Sequence, residues 1–262
     1  MSINLAAEID GQPIGFATGA RGVEPDRPTL ILVHGGGGSR DSWRFQIEGL
    51  DDEFNVVALE MPGHGESGGQ SKPTISQYAH WTAQVLQAWN LPKRPVLGGH
   101  SMGGAIGIEL GLTRPELLSG LILVGTGAWL GVNLTLLDGF NQDFHGTVRL
   151  VCKWAFAKNT DPKLIEEGYE RMSRNAPEVL IDDFRACADF ERRADVNRIG
   201  LPTLIVCGTL DKMTPPEMSE LLKEKIPGAR LELIDQAGHQ VAAEQPERLN
   251  RLIREFIRSL NL

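Results

Sequence analysis

The chain has 262 residues, of which 41% are hydrophobic and 23% charged. This is a globular mixture that excludes a disordered or fibrous polypeptide, and the length suits one α/β domain carrying an insertion. Its 26 Lys and Arg face 34 Asp and Glu, a net charge of −8 with no basic run, so nucleic acid and anionic membrane surfaces, which need a cationic face, are disfavoured as partners.

Met1 to Asp10 lacks the basic and apolar regions of a signal peptide. No apolar run approaches the roughly 20 residues that cross a bilayer. Cys152, Cys187 and Cys207 are odd in number, far apart and without a CxxC pair. They read as free thiols of a reducing, cytoplasmic setting.

In chain order, Asn4–Ile9 and Ile14–Ala17 flank Asp10-Gly11, a pair that favours a hairpin turn and predicts an antiparallel edge. Thr29–Val33, Asn55–Leu59, Pro95–Leu97, Gly120–Val124, Thr203–Val206 and Arg230–Ile234 are nearly continuous apolar runs. Such runs predict strands buried on both faces. Ile75–Trp89, Met102–Leu112, Pro216–Lys225 and Pro246–Leu260 carry helical patterns between them. The alternation predicts an α/β fold: a mostly parallel twisted sheet with helices on both sides.

The stretch from Thr126 to Thr203 breaks this rhythm, being too long for one crossover helix. Patches such as Glu166–Ser173 and Val179–Asp189 look helical, and a structureless loop of that size is improbable. The expected organisation is therefore a core of residues 1–127 and 196–262, with a helical lid, 128–195, over one end of the sheet.

The strongest chemical signal is Gly99-His100-Ser101-Met102-Gly103, followed by Gly104, between a strand and a helix. This is the setting of a nucleophile elbow, where a sharp turn projects the serine hydroxyl above the sheet. Glycines flank it because side chains there would collide, and the helix N-terminus aims its N–H groups at a developing anion. A tightly packed glycine-rich helix start is the structural alternative. A dinucleotide loop is excluded because neither glycine-rich loop has the required register.

A serine hydroxyl needs a base. His80 lies in an amphipathic helix, His64 in the turn Pro62-Gly63-His64-Gly65, and His34 at a strand end where it would hold a loop. His100 should point away from Ser101, and His145 lies in the insertion. His239, in Gln236-Ala237-Gly238-His239, follows the last strand. That puts it at the C-terminal sheet edge, where α/β ligands bind, and makes it the candidate base. Asp211, in Cys207-Gly208-Thr209-Leu210-Asp211, follows the preceding strand and is the candidate partner that fixes the imidazole tautomer. The chain order Ser101, Asp211, His239 is that of an α/β-hydrolase. Oxyanion donors are expected from the Met102 backbone N–H and from Gly36 in His34-Gly35-Gly36-Gly37-Gly38.

With His34-Gly35, Trp43, Gly63-His64-Gly65-Glu66-Ser67, Gly99–Gly104, Leu210-Asp211-Lys212 with Pro215, and Gly238-His239, the chain resembles the α/β-hydrolase family, of the small lid-bearing esterase, lactonase and carbon–carbon hydrolase kind. The resemblance spans nearly the whole chain and implies no cofactor and no metal. One departure is Glu60-Met61-Pro62, where many relatives carry Asp and Arg at positions that are usually structural. Serine rather than aspartate at the elbow argues against a dehalogenase or epoxide hydrolase.

The lid should wall an apolar pocket for a small-molecule substrate. Trp129 and Leu130 are expected nearest Ser101, with Phe140, Phe144 and Trp154 next. Arg149, Lys153 or Arg185 would hold a substrate carboxylate if one faces inward. The function expected is serine hydrolysis of a small to medium carboxylic ester or lactone through an acyl-enzyme. Carbon–carbon cleavage of a diketone-like ring-cleavage product and a non-catalytic binding protein on the same scaffold are the alternatives. The sequence does not give the oligomeric state.

Overall fold

Every apolar run becomes a strand in the computed structural model, which describes Ile3 and residues 5–262. Met1, Ser2 and Asn4 lie outside the described residues; of these, only Asn4 belongs to the expected first arm. Asp10 and Gly11 both take positive φ, 50° and 72°, as a tight hairpin turn requires. They join Glu8–Ile9 (β1) to Gln12–Pro13 (β2). The hairpin is shorter than expected, and the antiparallel edge is a separate strand, Phe16–Thr18 (β3), paired with Asn55–Leu59.

Thr29–Val33 (β4), Arg44–Leu50 (α1), Asn55–Leu59 (β5), Ile75–Trp89 (α2), Val96–His100 (β6), Met102–Thr113 (α3) and Gly120–Val124 (β7) follow in order. After the segment between β7 and the next strand come Thr203–Gly208 (β8), Pro216–Lys225 (α8), Arg230–Ile234 (β9), Val241–Glu244 (α9) and Pro246–Ser259 (α10). The intervening segment forms four helices, Thr135–Gln142 (α4), Phe144–Ala155 (α5), Pro162–Ser173 (α6) and Pro177–Ala188 (α7). The sheet order is β3-β5-β4-β6-β7-β8-β9, parallel throughout except for β3.

Helix boundaries follow local chemistry. Thr74 caps α2 through the Gln77 N–H, and Asn90 ends it in the left-handed region. Proline opens α6, α7, α8 and α10, where its missing N–H costs nothing.

Strand side chains alternate between two cores. Ile31, Val33, Leu97, Leu121, Leu123 and Ile205 pack toward α2, α3 and α8. Leu30, Leu32, Val96, Ile122, Leu204 and Val206 pack toward α1 and α10. The helices between β7 and β8 build a third core from Leu136, Phe140, Val148, Val151, Leu180 and Phe184. β9 departs from the expected burial: it is an edge strand, with Arg230 and Leu233 exposed. Arg230 pairs with Glu232 across this rim, the charge pattern that blunts an open edge.

Helix α3 runs through the body with residues Met102 to Gly111 all buried, so its glycines are packing sites. A Cβ at Gly103 would stand 2.3 Å from the Val33 carbonyl oxygen, whereas one at Gly107 meets only leucine methyls at 3.5 Å or more. Gly103→Ala should therefore cost more than about 3 kcal/mol, because backbone must move. Gly107→Ala should be neutral or stabilising by up to about 1 kcal/mol. Urea denaturation of the two variants checks the contrast, and equal midpoints would refute it.

Candidate active site

The elbow is built by crowding. Ser101 adopts φ 53° and ψ −116° between β6 and α3, a region that a non-glycine residue enters only under constraint. Its N–H donates to the Val124 carbonyl at 2.9 Å, and its carbonyl accepts from Thr126 Oγ1 at 2.9 Å. A Cβ at Gly99 would lie 2.1 Å from the Gly103 carbonyl oxygen, so only glycine fits there. Ser101 stands in the N-cap position, yet its side chain makes no capping bond to α3. The hydroxyl is left for the cavity it borders.

His239 and Asp211 meet. His239 Nδ1 lies 2.8 Å from Asp211 Oδ2, and both residues are buried. Asp211 Oδ1 accepts the N–H groups of Met213 and Thr214, each at 2.9 Å, and Oδ2 also accepts from Thr214 Oγ1 at 2.8 Å. Burial alone would raise the Asp211 pKa, but the His239 charge and bond and the Thr214 donors hold it below the usual carboxylate value. Gly125, at φ 51°, lies under the pair; a Cβ there would come within 3.3 Å of His239 Nδ1.

The backbone of His239 is held from two sides. Its N–H donates to the Ala155 carbonyl at 2.8 Å, and its carbonyl accepts from His100 Nε2 at 2.9 Å. Glu244 accepts the N–H groups of Gly238 and Ala157 and the Thr160 hydroxyl. The loop after β9 is thus tied to the end of α5.

Ser101 and His239 border one cavity of about 390 Å³. Gly36 is in its wall. The Gly37 N–H is taken by Asp183 Oδ2 at 2.8 Å and the Gly38 N–H by the Gly35 carbonyl at 2.9 Å, so neither is free for an oxyanion. Met102 follows Ser101 as the first residue of α3, where a helix N–H has no intrahelical acceptor.

Leu130 and Trp154 border the cavity, together with Phe156, Met172 and Phe184. Trp129, Phe140 and Phe144 do not. Trp129 bridges to Glu191, and Arg193 lies over its ring at 4.8 Å. Phe140 is buried within the third core, 5.2 Å from Phe184 and 6.3 Å from Phe144. The bulk of Phe140 and Phe144 serves packing between helices, and Trp129 packs against the first core. Arg149 pairs with Glu166 at 3.1 Å and covers Tyr169, while Lys153 and Arg185 are exposed. None of the three borders the cavity; Arg171 of α6 does.

The other histidines are accounted for. His34 Nδ1 donates to the Gly35 carbonyl, and Nε2 accepts the Met61 N–H at 3.1 Å. Burial, with His64 nearby, holds the His34 pKa down at about 3. Burial, with His239 nearby, does the same for His100. His80 and His145 are exposed. Glu60, at the departing position, accepts the Glu66 N–H at 2.8 Å and supports that turn.

Asp183 on α7 was not singled out by its sequence. Its oxygens accept from His64 Nε2 at 2.9 Å, Tyr78 Oη at 2.6 Å and the Gly37 N–H. The visible signal is a carboxylate on the buried face of α7, in series with Val179, Leu180 and Phe184. Thr214, which bridges Asp211 and His239, was also missed; its cue is the turn that an aspartate side chain caps two and three residues ahead.

Residues 28–246 match the family model of the alpha/beta hydrolase fold. YugF of Bacillus subtilis, an uncharacterized hydrolase, is 30% identical over 89% of this chain and 91% of its own. The pimeloyl-[acyl-carrier protein] methyl ester esterase of Aeromonas hydrophila is 27% identical over 88% of this chain and 95% of its own. A thermophilic esterase from Thermogutta terrifontis superposes with a TM-score of 0.86 at 26% identity, covering 98% of each chain. The chain belongs to the alpha/beta hydrolase family. With such relatives it is an enzyme of the hydrolase type. Among the described residues no helix is long and apolar enough to cross a membrane, and no cluster of His, Cys, Asp and Glu could hold a metal ion.

The His64–Asp183 pair carries a pH prediction. Burial would lower the His64 pKa, but Asp183 raises it overall; burial would raise Asp183, but His64 and its donors lower it. The lowered carboxyl contributes stability above its unfolded value of 3.8, lost as pH falls through the folded value. The raised imidazole contributes fully below its unfolded value of 6.5, lost as pH rises through the folded value. Asp183→Asn should cost about 3–5 kcal/mol between roughly pH 4 and 6.5, and less at higher pH. Urea midpoints of wild type and variant across pH 4–9 test this; a constant gap would refute it.

Proposed function

We propose that the enzyme is a serine hydrolase of small to medium carboxylic esters or lactones. The observation that carries this reading is the buried Asp211–His239 pair whose imidazole shares one cavity with the hydroxyl of a strained Ser101. Ser101 Oγ attacks the substrate carbonyl while His239 Nε2 takes its proton. Asp211 keeps the Nδ1 proton in place and stabilises the imidazolium. The Gly36 and Met102 N–H groups hold the tetrahedral oxyanion. His239 returns the proton to the leaving alcohol, which departs and leaves an acyl ester on Ser101. It then activates water, which releases the acid and restores the hydroxyl.

Residues 128–195 act as the lid over a core of 1–127 and 196–262. Their separate apolar core and their share of the cavity wall, Leu130, Trp154, Phe156 and Phe184, support this division. The buried free thiols of Cys152, Cys187 and Cys207 support a reducing, cytoplasmic setting.

Ser101→Ala should lower hydrolysis of p-nitrophenyl butyrate by about 10⁴-fold or more, with an unchanged thermal midpoint. A fluorophosphonate should label wild type and not the variant. Undiminished turnover in Ser101→Ala would overturn the assignment. Labelling without turnover of any ester would point instead to a binding protein on this scaffold.

A further inference from the structure

The cavity wall contains two cations, Arg171 and Lys212, and no carboxylate among the described residues. Lys212 is exposed, as a solvated lysine can afford to be. Arg171 is half-buried on α6, one turn beyond the buried Gly168. Of the other arginines of this segment, Arg149 pairs with Glu166, Arg192 with Glu109 and Arg193 with Glu191, while Arg174 and Arg185 are exposed to water. Among the described residues, no carboxylate stands within ion-pair distance of the Arg171 guanidinium. Of the nearby acids that act on it, Glu167 is bonded to Arg44, and Asp41 is exposed. Burial, with Arg44 nearby, holds the Arg171 pKa below the usual arginine value.

A cation withdrawn from water and left without a counter-charge is costly, and the cost is offset when an anion arrives. The rest of the wall favours one anion at one place. Val151, Phe156, Met172 and Phe184 are apolar, and His100 is kept neutral by burial. A planar guanidinium matches the two oxygens of a carboxylate.

We propose that Arg171 binds a free carboxylate on the substrate, so that the preferred substrate is an anionic ester or lactone, such as the half-ester of a dicarboxylic acid. This rests on the reading of Ser101 as nucleophile and adds the substrate's charge to it. Arg171 is a specificity residue: it holds the end of the molecule that does not react.

Two matched pairs test the idea: monomethyl against dimethyl glutarate, and 3-acetoxypropanoate against its methyl ester. In wild type at least one anionic member should exceed its neutral partner in kcat/KM, by roughly 10- to 100-fold for a charge-assisted contact. Arg171→Met should collapse that ratio, mainly through KM, and Arg171→Lys should restore part of it. A second measurement is calorimetric titration of glutarate into Ser101→Ala protein, with and without Arg171→Met; binding should weaken at least 10-fold in the double variant, which should keep its thermal midpoint. Ester cleavage that depends on Ser101, with the same ratio in wild type and Arg171→Met and no Arg171-dependent glutarate binding, would overturn the proposal and leave the hydrolase reading standing. Arg171-dependent glutarate binding without cleavage of any ester would support the carboxylate subsite and remove the serine hydrolase reading instead.

Discussion

Three donors from three stretches of chain converge on Asp183: His64 from the turn after β5, Tyr78 from α2 and the Gly37 N–H from the loop after β4. A lone carboxylate buried at that point would cost several kcal/mol. The imidazole charge and two further donors offset the cost only while all three segments keep their positions. The contact therefore joins the helical segment before β8 to the body and fixes the loop holding Gly36. Two other carboxylates act in the same way. Glu109 of α3 receives Arg192 at 2.7 Å and Ser76 at 2.8 Å, and Glu244 gathers Ala157, Thr160 and Gly238. Held at these three separated points, the segment is an attached part of the wall, and a wholesale swing would break all three sets of charged contacts at once.

The elbow rests on a different constraint. Backbone at φ 53° costs on the order of 1–3 kcal/mol, and that strain persists because neighbours on both sides over-determine it. β6 pairs with β4 and β7 along its length, and α3 is buried from Met102 to Gly111. Neither element can turn to relax the residue between them. Glycines at 99 and 103 are the condition for the strand and helix to close this far: each lacks a Cβ where a carbonyl oxygen already stands within 2.3 Å.

Much of this was legible in the residues, for physical reasons that differ by element. The helix Ile75–Trp89 begins and ends where expected because Thr74 and Asn90 supply local caps. The inner strands were legible because full burial leaves an uninterrupted apolar run. β9 was misjudged on the same ground, since five residues cannot reveal which strand is the rim. The loops bearing Ser101, Asp211 and His239 were readable because parallel strands deliver them to one edge. The cavity lining was not. Trp129, Phe140 and Leu130 are equally apolar in sequence, yet only Leu130 meets the cavity: Trp129 is held by its bridge to Glu191, and Phe140 is turned into the packing of α4 against α5 and α7. Arg171 and Asp183 escaped for a related reason: a charge on a helix is normally solvated, and only the fold shows which one has turned inward.

The net charge of −8 and the cavity wall carry opposite signs, and the two have different consequences. The overall surplus governs solubility and long-range attraction. At the wall, a burial-neutralised His100, a half-buried Arg171 and an absence of carboxylates among the described residues set the local field. The division follows the chain. The proposed nucleophile, base and orienting acid come from loops after β6, β9 and β8, whereas most of the apolar wall and its inward cation come from the segment between β7 and β8. That segment can change its side chains without altering the strand ends. The exception is where Ala155 and Ala157 hold the His239 loop: there, selection of the substrate and alignment of the base share the same backbone.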